Sequence, residues 1–134
     1  MPSGDYVSFK SFYKNKTTDL NIVVGTQNYG DVITPKTSAH QLFIQKITLA
    51  ITTHFAATVT FDDDGSGPAI AAHTDAAAGA GVPSVVVFDF GPEGRPLTVG
   101  ANLDVSQSAA GLVGTVHIEA YEKLTTPVAA ASTN

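Results

Sequence analysis

The sequence predicts an all-β protein, an antiparallel β-sandwich or jelly roll of eight or nine strands, and three observations lead there. β-branched and aromatic residues alternate with polar ones over short stretches. Gly, Pro and Asp punctuate those stretches, and no segment carries an apolar stripe at helical spacing. The length, 134 residues without a Cys, is that of one ordinary domain that buries a core without disulfides or thiolate metal sites.

In chain order the strands are expected near Leu20–Val24, Asp31–Thr34, His40–Thr52, Ala57–Phe61, Ala69–His73, Ser84–Phe90, Leu97–Val99, Asn102–Ser106 and Leu112–Lys123. Strands of this length separated by turn residues suit a sandwich better than a small open sheet. In the longest, Leu42 and Ile44 share one parity while Ile47, Leu49 and Ile51 share the other. A side-chain period of two cannot change phase without a bulge or strong twist, expected near Gln45–Lys46, and a strand bent there could serve two sheets. In the last strand Gly114, Val116, Ile118 and Ala120 alternate with Thr115, His117, Glu119 and Tyr121, which gives one buried and one wetter face. The run Val85-Val86-Val87-Phe88 is uniformly apolar and reads as covered on both sides.

Two segments differ from this body, so the expected organisation is an arm or edge segment at 1–19, the sandwich at 20–126 and a frayed tail at 127–134. Residues 1–19 alternate weakly and hold Tyr6, Phe9, Phe12 and Tyr13 beside Lys10, Lys14 and Lys16. The end, PVAAASTN, has neither period nor bulky anchor.

Composition narrows the function classes. Charged residues are 14% of the chain, below the roughly 25% usual in soluble domains, so Thr, Ser, Asn, Gln, Gly and Ala must cover much of the surface, as in β-rich assemblies and extracellular or virion surfaces, though not in these alone. A net charge of -5 argues against nucleic acid as a partner, because phosphate binding needs a basic face. No apolar run is long enough to span a bilayer, and MPSGDYVSFK lacks the apolar core of a signal peptide, so a protein made and folded in a cytoplasm is expected.

The chemistry-bearing residues do not assemble into a motif. Asp62-Asp63-Asp64-Gly65-Ser66-Gly67 could offer oxygens to a hard cation, but it lacks the liganding Glu of a helix–loop–helix calcium site and reads as a solvated hairpin turn. The histidines, His40, His54, His73 and His117, follow no metal-site spacing, although His40 and His73 could meet in space. No Ser stands in a Gly-x-Ser-x-Gly elbow and no glycine-rich loop opens a helix, which removes the sequence warrant for a hydrolase or nucleotide site. Carboxylate pairs such as Asp89 with Glu93 or Glu119 with Glu122 read as solvated charge. Arg95, the single Arg, lies between a Gly/Pro turn at 91–94 and a second turn at Gly100-Ala101-Asn102. Its fork suits a carboxylate on a partner chain or, more simply, a local pair with Asp89 or Glu93. No catalytic residue, cofactor or metal is expected.

From about His40 to Leu124 the segments HQLFIQKITLAITT and VVVFDFGPEGRPLTVGANLDVSQSAAGLVGTVHIEAYEKL resemble bacteriophage capsid decoration, or cement, proteins of jelly-roll type. The likeness lies in the Ile/Thr-rich strand, the Phe-Asp-Phe-Gly-Pro-Glu-Gly turn with its Pro-Leu, and the closing Gly-x-Val-x-Ile-x-Ala-Tyr strand. It implies a non-enzymatic virion protein that sits as a trimeric knob on the outer capsid surface and binds the major capsid protein. The expected partner-contact residues are Tyr6, Phe9, Lys10, Phe12, Tyr13 and Lys14 of the arm, with Arg95. The rival reading is a carbohydrate- or receptor-binding sandwich, disfavoured because sugar platforms lean on Trp and Tyr and the chain has no Trp and four Tyr. A jelly-roll enzyme ranks third because the histidine spacing fails.

Overall fold

Ten strands and no helix make up the described part of the chain in a computed structural model, which covers residues 13–64, 69–77 and 84–125. They are β1 (Tyr13–Asn15), β2 (Thr18–Ile22), β3 (Asn28–Ile33), β4 (His40–Thr53), β5 (Thr58–Asp63), β6 (Ala69–Thr74), β7 (Ser84–Asp89), β8 (Arg95–Pro96), β9 (Leu103–Gln107) and β10 (Val113–Leu124). One sheet runs β2-β10-β4-β7, with β1 extending the β2 edge and β8 extending the β7 edge; the other runs β3-β9-β5-β6. All pairings are antiparallel, and the chain crosses between the sheets in the manner of a jelly roll. Eight strands carry the roll; β1 and β8 are short additions of three and two residues.

The core lies between the sheets. Ile22, Leu42, Ile44, Ile47, Leu49, Ile51, Val116 and Ile118 face inward from one, and Ile33, Val59, Phe61, Leu103 and Val105 from the other. Burying each large aliphatic side chain contributes about 1.5–3 kcal/mol, so the long β4–β10 pair anchors the fold. The register of that pair shifts between Glu119 and Ala120, which face Lys46 and Ile44, leaving Gln45 as the extra residue. This is the bulge that the change of phase predicts. The Gln45 carbonyl accepts the Phe90 N–H at 2.8 Å, where the chain leaves β7. Contrary to expectation, β4 does not serve two sheets: it stays in one, pairing with β8 before the bulge and β7 after it.

Other expectations need correction. The stretch 85–88 is covered on one side only, because β7 alternates: Val86 and Phe88 pack on the core while Val85 is 64% and Val87 50% exposed. Leu97–Val99 is not a strand. Leu97 instead seals the core as a single buried side chain, its N–H bonded to the Leu42 carbonyl and its own carbonyl to Gln41 Nε2. The turn that follows needs glycine, since Gly100 has φ +82° and a Cβ there would lie 2.7 Å from the Ser38 carbonyl oxygen. Glu122 is not solvated: it shares the inward parity of β10, is 1% exposed, accepts the Lys36 N–H at 2.9 Å and lies 3.8 Å from Lys16 Nζ.

Candidate functional site

Of the residues expected to contact a partner, Tyr6, Phe9, Lys10 and Phe12 lie outside the described residues. Tyr13 and Lys14 belong to β1, in register with Lys123 and Glu122 at the outer edge of β10. Arg95 lies on the exposed strand β8, opposite Ile44. Its expected local ion pair is not formed among the described residues. Asp89 instead accepts the Gly91 N–H, and the Glu93 carbonyl accepts the Tyr121 hydroxyl. The structure thus places the arm's end and Arg95 on opposite flanks of the β10–β4 pair rather than in one cluster.

Two aromatic side chains of that outer face are occupied by each other. Phe43 and Tyr121, paired across β4 and β10, stack with centroids 4.9 Å apart, and Lys123 Nζ lies 4.8 Å from the Phe43 centroid. A ring pair closed in this way by a cation presents little free face to a ligand.

The acidic run 62–64 does not act as a unit, because alternation along β5 separates its members. Asp63 turns inward, 7% exposed, and accepts both the N–H and the hydroxyl of Thr98, fixing the chain after β8. Asp64 instead joins Asp31 and Asp104, their carboxylate oxygens all within 4.8 Å of one another. Burial first, then Asp31 and Asp64, push the Asp104 carboxyl up to about 7, and among the described residues its buried Oδ1 receives no hydrogen bond. The cluster crowds three carboxylates at one spot on the smaller sheet, where each could offer an oxygen to a hard cation. Residues 65–68, where the hairpin turn is expected, lie outside the described residues.

A second polar cluster was not foreseen. His40 does not meet His73; it bonds the Thr37 hydroxyl at 2.7 Å. His73 and His54 converge instead on Asp75, which accepts His54 Nδ1 at 2.9 Å, His73 Nε2 at 3.3 Å and the Phe55 N–H at 3.1 Å. The far nitrogen of His54 lies 3.2 Å from the Ser84 hydroxyl. Burial pushes the Asp75 carboxyl up, but the hydrogen bonds from His54, Phe55 and His73 outweigh it and hold the group below its usual range.

No protein-family model matches the chain. No curated protein matches it either. Among solved structures it is similar to the coat of the extra small virus of the giant freshwater prawn Macrobrachium rosenbergii, at 15% identity over 82% of this chain and 78% of that one, with a TM-score of 0.38. It is similar to a Bacillus endospore appendage pilus subunit at 12% identity over 85% and 88%, with a TM-score of 0.42. A Tobacco streak virus coat protein dimer gives 11% over 86% and 87%, at 0.41. At these values the likenesses assign neither a family nor a function; the strand order of the chain itself carries the jelly roll.

Proposed function

We propose that this protein is a structural virion subunit that decorates and stabilises the outer surface of a bacteriophage capsid, assembling as a trimer and contacting the major capsid protein. The observation that carries the reading is the outward row of β7. Val85 and Val87 are exposed, and among the described residues β7 pairs only with β4. Natural sheets usually protect an open edge with charge, Pro or a bulge, whereas this one presents valines, the pattern of a surface meant to be covered by protein. The low charge and the continuous buried core agree with close packing on a shell. Repeated weak contacts at symmetry-related positions reinforce a lattice by multivalency and require no chemistry. The sugar-binding alternative gains nothing from Phe43 and Tyr121, since their rings already face each other.

The test is to add the purified protein to mature shells built from the major capsid protein encoded beside its gene. Saturable binding at fixed copies per shell, with a raised shell melting temperature, is the expected result. Failure to co-sediment at saturating concentration overturns the reading.

A further inference from the structure

His54, Asp75 and Ser84 come from three separate parts of the chain, and the strand pairing brings them together. Ser84 opens β7 opposite Ile51, near the end of β4, and His54 follows that strand directly. Asp75 follows β6, whose last residue pairs with Thr58, and the Asp75 N–H bonds the Ala57 carbonyl at 2.8 Å. The side chains of His54 and Asp75 are only 8% and 7% exposed.

The hydrogen bonds also fix who donates. A carboxyl held ionised can only accept, so the 2.9 Å contact requires the proton on His54 Nδ1. In the neutral ring the Nε2 lone pair then faces Ser84 Oγ at 3.2 Å and accepts its hydroxyl proton. His73 and the Phe55 N–H hold the carboxylate from its other sides. This order, hydroxyl to imidazole to anchored carboxylate, is that of an activated serine, which is recognised by geometry and not by sequence position. The missing Gly-x-Ser-x-Gly elbow is therefore no objection, since that motif belongs to one fold.

We propose that Ser84, His54 and Asp75 form an acyl-transfer centre, with Ser84 as nucleophile, that takes small activated esters. Ser84 Oγ bonds the ester carbonyl carbon as its proton passes to His54 Nε2. The carbon–oxygen bond to the leaving group breaks, and that group departs with the proton. Water, deprotonated by the same nitrogen, then releases the acid and restores Ser84. Asp75 fixes the tautomer and stabilises the imidazolium; His73 is a positioning residue for Asp75.

The experiment is covalent labelling of the full-length protein with a fluorophosphonate probe, read by intact mass and peptide mapping, and it does not depend on whether the protein assembles. One adduct on Ser84 is expected, absent in Ser84→Ala, which removes only a hydroxyl. Its rate should rise with pH as the imidazole loses its second proton and becomes a base. His54→Gln should slow labelling by about 100-fold or more. Should that variant not fold, the pH profile of the native protein carries the same information. A folded native protein that gains no Ser84 adduct, or gains one at a rate flat in pH and unchanged in a folded His54→Gln, would overturn the proposal.

Discussion

Strands β10 and β7 flank the same neighbour, β4, and both alternate strictly, yet they present different outward faces. β10 lies inside its sheet and shows Thr115, His117, Glu119 and Tyr121, with His117 tied to Asp19 of β2 at 2.5 Å. β7 lies at an edge and shows Val85 and Val87. An interior strand with hydrogen bonds on both sides needs only a wettable outer face, whereas an apolar outer row beside an open edge is a liability unless something covers it. Both strands contribute to folding through their inner faces, β10 with fully buried Val116 and Ile118 and β7 with partly buried Val86 and Phe88. Under the proposed capsid role, their outer faces separate stability from assembly.

The largest effect should come from the inner face. Ile47→Ala removes a fully buried side chain from the β4–β10 pair and should cost about 2–5 kcal/mol in denaturant unfolding, whereas Val87→Ala, one strand away and half-exposed, should stay within about 0.5 kcal/mol. Equal losses would erase the distinction between faces. Glu122→Ala sharpens it from the polar side. The Lys36 N–H loses its acceptor and Lys16 its partner, a cost of about 1–3 kcal/mol that a solvated carboxylate would not show.

The smaller sheet offers a pH test. Unfolded, Asp104 releases its proton near 3.8; folded, it does so near 7. Between these values the native state alone holds the proton, so stability falls as pH rises from about 4 to 7, by at most about 1.4 kcal/mol per unit, and levels off above. Asp104→Asn should flatten that slope in a series of thermal melts. An unchanged slope would place the effect elsewhere. Asp75 works in the opposite sense, its contribution being lost only as pH falls through a folded value below 3.8.

Much of the fold was legible because it rests on period and parity. The bulge at Gln45, the two faces of β10 and the turns at 91–94 and Gly100 follow from alternation and from glycines with positive φ. Alternation also contained the truth about β7, but a run of three valines hides it, since β-branched residues suit either face. The polar clusters were not legible, because long-range topology builds them. Asp31, Asp64 and Asp104 meet only through β3-β9-β5 pairing, and Ser84 reaches His54 only because β7 lies against β4. The one local hint was His73-x-Asp75, two residues apart at a strand end. Glu122 reads as solvated charge in the sequence because the partners that let a carboxylate sit on the core parity, Lys16 and the Lys36 N–H, lie far away along the chain.

The most direct test of the assembly reading is the absolute mass of the protein in solution, by light scattering coupled to size exclusion, for the native chain and for Val87→Lys. A native trimer that the substitution converts to a folded monomer with unchanged melting temperature is the predicted result. A native monomer at micromolar concentration, or a trimer indifferent to a lysine in the valine row, would contradict the assignment of β7 as the covered surface.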